Sequence, residues 1–116
     1  MMSDDCLFCK IAAKQIESNK VYEDDVAFAF HDIEPRAPVH VLIIPKEHIP
    51  SLREVDDNQE NILGHLLVVA SKIAKDLSVS ESGYRIAINA GPDAGMAVNH
   101  LHVHLLGGRR LKWPPG

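Results

Sequence analysis

The sequence predicts an α+β domain: a mainly antiparallel, five-stranded sheet with one short and one long helix. Three observations point there. Short β-like runs bounded by turn residues hold only two helical segments between them. Ile62, Leu66, Val69, Ile73 and Leu77 recur at steps of three and four, which gives the longer helix one apolar face. Near the C-terminus His100, His102 and His104 alternate with Leu101, Val103 and Leu105, the period of an extended segment with one buried side.

Each element has its own signal. Asp4 or Asp5 can cap a short helix running through Cys6 to about Lys14. Two β-like runs follow, 20–23 and 26–31, and Asp24-Asp25 reads as the hairpin turn between them. The stretch from Asp32 to Pro38 holds two prolines and is predicted to be a loop. Residues 40–45 are apolar on both faces, as in a central strand covered on each side. Asp57 and Glu60 have capping-box spacing and set the start of the long helix. Residues 83–90 form a further strand, with Tyr84, Ile86 and Ile88 on one side and Ala87 and Asn89 on the other. Gly91 to Gly95 is a tight loop, and the histidine strand comes next.

Bulk properties narrow the function. A chain of 116 residues suits one domain with a real core. Its net charge of −4 lacks the basic surplus that a phosphate backbone needs, so nucleic acid is not the expected partner. No apolar run reaches the length of a membrane span, and the acidic start is unlike a secretory signal. A cytoplasmic location is the expectation.

The histidine row admits three readings. Histidines two apart on a strand can chelate a metal, although His100 and His104 stand roughly 13 Å apart along an extended chain and cannot share one ion. Neutral imidazole is also a nucleophile at pH 7, and a neighbouring histidine can hold or supply a proton. The third reading is three solvated side chains on an edge strand. The preceding loop favours chemistry on a phosphoryl group. Gly95 lets the backbone approach a ligand, and loop amides beside imidazoles stabilise its charge. Cys6 and Cys9 form a Cys-x-x-Cys pair, which in a cytosolic chain suggests metal or redox use. The alternative is two thiols packed as small hydrophobes.

The segment His-Leu-His-Val-His-Leu-Leu at 100–106 resembles the His-φ-His-φ-His-φ-φ signature (φ apolar) of the histidine triad, or HIT, superfamily. Residues 30–40, 43–49 and the tail from Leu106 to Gly116 are similar to its Hint branch, so the resemblance covers nearly the whole chain. It implies a homodimer that hydrolyses purine nucleoside phosphoramidates. By resemblance His102 is the nucleophile on phosphorus, and water then hydrolyses the nucleotidyl-histidine. His104 contacts phosphate and assists proton transfer, while His40 joins a relay behind them. Asn89 lies on the phosphate side, Asp32 bonds the ribose hydroxyls and Ile33 lies against the base. Gly95, Met96 and Ala97 supply the phosphate-side loop.

Residue by residue, blander readings stay open. Asp32 also suits a turn, His40 a satisfied core histidine, and Asn89 a strand end. HIT relatives with a Cys-x-x-Cys pair complete a structural zinc site with two histidines, which correspond here to His48 and His100 beside Cys6 and Cys9. The resemblance further implies that the tail, with Trp113, reaches the partner's active site. Gly64 is either a close-approach point at that interface or a tolerated helix glycine. His31 and His65 have no assigned role.

One departure stands out. Where the animal-type Hint proteins carry a serine whose hydroxyl sits by the phosphate, this chain has Ala97, preceded by Met96. Two alternatives therefore stay open: a nucleotide-binding or adaptor dimer with weak turnover, and a dinucleoside polyphosphate hydrolase.

Overall fold

The computed structural model describes residues 5–116. Five strands are hydrogen-bonded in a single sheet: β1 (Lys20–Glu23), β2 (Ala27–His31), β3 (Val39–Pro45), β4 (Tyr84–Ala87) and β5 (Val103–Gly107). Their order is β1-β2-β3-β5-β4, and every pair is antiparallel. The short helix α1 (Leu7–Ala12) lies on one face and the long helix α2 (Glu60–Asp76) on the other.

Strand periodicity decides what each face receives. Val41, Ile43, Val103 and Leu105 point to α2 and pack against its buried Leu66, Val69 and Ile73, with Leu101 in the same cluster. The alternate residues Phe28, Phe30, Leu42 and Ile44 point the other way and pack under Phe8 and Ile11 of α1. β3 is therefore covered on both sides, as its unbroken apolar run predicts. The short α1 leaves part of its face open, and a cleft lies there.

Several boundaries differ from the sequence expectation, each for a local reason. The α1 cap is Cys6, whose sulfur accepts the Cys9 N–H, rather than Asp5; Asp4 lies outside the described residues. β2 starts at Ala27 because the Val26 and Ala27 N–H groups both donate to Asp24 Oδ1 at 2.7 Å, closing the turn with a side chain. The capping box is Asp56 with Gln59, and it opens a 3-10 turn (Asp57–Gln59) that leads into α2. β4 ends at Ala87, so Ile88 and Asn89 leave the ladder. β5 begins only at Val103, because the Leu101 N–H donates to Ile49 O at 2.7 Å and the His100 N–H to Val98 O. His100 and His102 thus precede the strand, yet Leu101 and Val103 are still fully buried behind them.

His65 has a partner that its helix position did not reveal. Its Nε2 lies 2.6 Å from Asp24 Oδ2, which also accepts the Tyr22 hydroxyl at 2.7 Å. Burial opposes ionisation of Asp24. The Tyr22 hydroxyl, the two turn amides and His65 outweigh it and hold the carboxyl well below its usual range. The β1–β2 turn is thereby pinned to α2.

Candidate active site and metal cluster

A cleft of about 550 Å³ opens on the α1 face of the sheet. Its apolar part is built from Leu7, Phe8, Ile11, Phe30 and Leu42, and its polar part from Asp32, His40, Asn89, His102 and His104. Ile33 is at its rim, 90% exposed, and Gly95 and Ala97 line it from the loop that precedes the histidines. Met96 is not among the lining residues; its N–H instead donates to Gly91 O at 3.3 Å. Gly95 has φ +80°, a left-handed conformation that lets the chain turn sharply into the histidine segment.

Backbone partners fix the imidazole tautomers, since a carbonyl only accepts and an amide N–H only donates. His102 Nδ1 lies 2.7 Å from His100 O, so Nδ1 carries the proton and Nε2 keeps its lone pair. His40 Nδ1 accepts the Arg36 N–H at 3.0 Å, so its proton is on Nε2. That nitrogen is 3.0 Å from His104 Nδ1 and 3.4 Å from Asp32 Oδ2. His104 must then accept at Nδ1 and present Nε2–H. This Nε2 is buried with no partner among the described residues. A buried donor left open beside a nucleophilic lone pair is arranged for an external acceptor. The same tautomers bear on Asp32, His40 and His104 as a possible metal trio. With His40 Nε2 protonated, the group is a hydrogen-bond chain.

Burial lowers the pKa of His104 to about 4, helped by the neighbouring His102 and His40. Burial also lowers that of His40, partly offset by Asp32. Both rings are neutral at pH 7. An unfolded histidine takes up its proton near pH 6.5, whereas the folded His104 ring resists until about pH 4, and folded His40 is shifted in the same direction. The His104 contribution to stability is therefore complete above pH 6.5 and lost as the pH falls toward 4, and that of His40 has the same sign. Urea unfolding between pH 7 and 5 should show stability dropping by up to about 1.4 kcal/mol per pH unit from His104, with a further loss of the same sign from His40. A flat profile would show that the rings are not held neutral.

Beside the cleft, Cys6, Cys9, His48 and His100 converge, their donor atoms all within 4.8 Å of one another. His100 Nδ1 lies 3.2 Å from Cys6 Sγ, 3.4 Å from Cys9 Sγ and 3.2 Å from His48 Nδ1. These are close to the edges of a tetrahedron with zinc–ligand bonds of roughly 2.0–2.3 Å. The tautomer fits as well. His100 Nε2 donates to Pro45 O at 2.9 Å, which leaves the Nδ1 lone pair facing the sulfurs. The Cys9 N–H donates to Cys6 Sγ at 3.2 Å and so fixes that sulfur at the start of α1. A soft, tetrahedral donor set of this kind fits zinc.

The four-residue cluster and the histidine row, which share His100, adjoin in the structure, and one residue serves both. The His100 ring belongs to the cysteine cluster, while its carbonyl sets the His102 tautomer. Phe8 was missed from sequence. Its ring meets His102 edge-on, with centroids 5.1 Å apart, and forms part of the cleft wall. Its place in an apolar helix turn beside Leu7 and Ile11 was the available signal.

Known proteins agree with this geometry. Residues 13–111 match the family model of the HIT domain. An uncharacterized HIT-like protein of Synechococcus elongatus is 50% identical over 115 residues, which span 99% of this chain and 100% of the relative. A 14 kDa zinc-binding protein of Zea mays is 49% identical over 112 residues, 95% of this chain and 87% of the relative. Among solved structures, a HIT family hydrolase from Legionella pneumophila superposes with a TM-score of 0.95. It is 47% identical and covered over 97% of this chain and 100% of its own. A histidine triad protein from Clostridium difficile gives 0.94 at 46% identity, with 97% of each chain covered. Likeness of this extent in sequence and in backbone places the chain in the HIT domain family.

Proposed function

We propose that the protein hydrolyses purine nucleoside phosphoramidates through a nucleotidyl-histidine at His102. The observation that carries this reading is the pairing of tautomers: a lone pair on His102 Nε2 beside an open N–H on His104 Nε2. His102 Nε2 attacks phosphorus, the P–N bond breaks, and the amine leaves with a proton taken from water. The nucleotidyl-imidazolium so formed keeps its Nδ1–H on His100 O, which stabilises the positive charge. His104 Nε2–H bonds a phosphoryl oxygen, with the Asn89 side chain and the Ala97 backbone beside it; the Gly95 and Met96 N–H groups are taken up within their own turn. Water then attacks phosphorus and gives up a proton to the solvent, which replaces the one taken by the amine; His102 leaves with its electron pair, and the nucleoside monophosphate is released.

The rest of the cleft supports a nucleotide. The apolar wall of Leu7, Phe8, Ile11, Phe30 and Leu42 suits a flat base, with Ile33 at the rim. Asp32 Oδ1 accepts the Glu34 N–H at 2.9 Å, which orients the carboxylate for a ribose diol. Cys6, Cys9, His48 and His100 would hold a structural zinc, tying α1 to the histidine segment and leaving His102 and His104 for chemistry. Homodimerisation fits the surface. The outer edge of β4 has no strand partner among the described residues, and α2 exposes Leu67 and Val68. Nothing lies within 4 Å of a side chain added at Gly64, so that part of α2 is open to close approach. Trp113 on the tail is 80% exposed, with the Arg85 guanidinium 5.8 Å from its ring centre.

Incubation with adenosine phosphoramidate, followed by chromatography for adenosine monophosphate, tests the activity. Ala97 lines the cleft without a hydroxyl. Ala97→Ser supplies one hydrogen bond to a charged group, which is worth roughly 1.5–3 kcal/mol. It should raise kcat/KM by about ten-fold or more. Tight binding of adenosine monophosphate with negligible turnover in both proteins would instead favour the nucleotide-binding reading.

A further inference from the structure

The tail that follows β5 is tied to the loop above His40. Arg109 Nε and Nη2 lie 3.0 and 2.9 Å from Arg36 O, a two-pronged grip on one carbonyl. Its Nη1 donates to Arg110 O at 3.2 Å, so all three guanidinium nitrogens are engaged. The approach is close. Gly108 has φ +89°, and a side chain there would come within 2.9 Å of Pro38 Cβ. One residue's carbonyl is thus held by Arg109, while the same residue's N–H donates to His40 Nδ1.

We infer that Arg109 is a positioning residue for the His40–His104 pair: by clamping the Arg36 carbonyl it holds the Arg36 N–H on His40 and so sets the polarity of the hydrogen-bond chain. This role rests on the catalytic reading above. Without the Arg36 N–H, His40 Nδ1 has no donor, and the ring is free to carry its proton there instead. His40 Nε2 then becomes an acceptor, His104 must protonate Nδ1 to meet it, and His104 Nε2 offers a lone pair to an anion. One proton shift reverses the whole chain. Asp32 Oδ2, 3.4 Å from His40 Nε2, pulls the proton the same way as Arg36. When ribose hydroxyls occupy Asp32 that pull weakens, and the Arg36 N–H decides.

Two-bond proton–nitrogen correlation spectra of the full chain, labelled on histidine nitrogen and saturated with adenosine monophosphate, read the tautomers directly. The wild type should show His40 and His104 protonated at Nε2. In Arg109→Ala, and in Arg109→Gln should the first variant fold poorly, the His40 Nδ1 signal should move toward the protonated position and the His104 Nε2–H should weaken. The His102 pattern should stay unchanged. Arg109→Lys, a single-point donor, should recover the pattern only in part. Turnover of adenosine phosphoramidate should fall on the order of ten-fold in kcat with KM within about two-fold. Wild-type tautomers in a folded Arg109→Gln protein would overturn the inference, as would a loss confined to melting temperature and KM. A shifted tautomer pattern without phosphoramidate turnover in the wild type would retain Arg109's role and sink the assigned activity.

Discussion

Replacing His102 by Ala should reduce release of adenosine monophosphate from an adenosine phosphoramidate by roughly ten-thousand-fold or more, the scale seen when a covalent nucleophile is removed. The expectation follows from the tautomer. His102 Nδ1 is spent on His100 O, so Nε2 is the atom that can form the bond to phosphorus. His104 cannot substitute, because its Nδ1 accepts from His40 and its remaining nitrogen is a donor. Nucleotide affinity should change little, within about three-fold, since the base wall and Asp32 are untouched. Rapid quenching of the wild type with labelled substrate should give a nucleotidyl-protein whose label maps to His102, and the variant should give none. The variant should also keep its zinc, because His102 is not among the four converging donors. Turnover near wild type in His102→Ala would reject the nucleophile outright.

Why was so much of this legible in the sequence? Strand periodicity is a backbone property, so alternate placement of Leu101, Val103 and Leu105 against α2 required no knowledge of the partner. The apolar run in β3 and the stripe on α2 told the same story from the other side of the core. What the sequence withheld are relations between distant segments. The proton on His40 depends on an amide four residues before it, in a loop without regular structure. The link from Asp24 to His65 spans 41 positions. Neither leaves a periodic trace. The row itself was read as strand throughout, whereas its first two histidines sit in the approach to β5, where loop hydrogen bonds replace the ladder. That irregularity matters for function. It turns the His100 carbonyl onto His102 Nδ1 instead of committing it to a neighbouring strand.

The double variant Cys6→Ser/Cys9→Ser should lose the one zinc expected per chain, and with it a large share of stability. Zinc at a thousand-fold excess over its Kd stabilises the folded chain by about 4 kcal/mol, roughly 15 °C in Tm for a domain of this size. Wild-type protein should therefore melt that much higher with zinc than with a chelator, while the double variant should melt at one temperature in both. The loss should reach the cleft by two routes. Cys6 and Cys9 flank Leu7 and Phe8 in the chain, so loosening the cluster loosens the apolar wall of the cleft. The His100 ring is anchored between the cluster and Pro45 O, and its own carbonyl holds the nucleophile's proton. Adenosine monophosphate should consequently bind more weakly to the chelated wild type, and by reciprocity zinc should bind more tightly when the nucleotide is present. Calorimetry of each ligand with and without the other measures both directions. Zinc retained by the double variant, or nucleotide affinity indifferent to the metal, would break the connection between the cysteines and the histidine row.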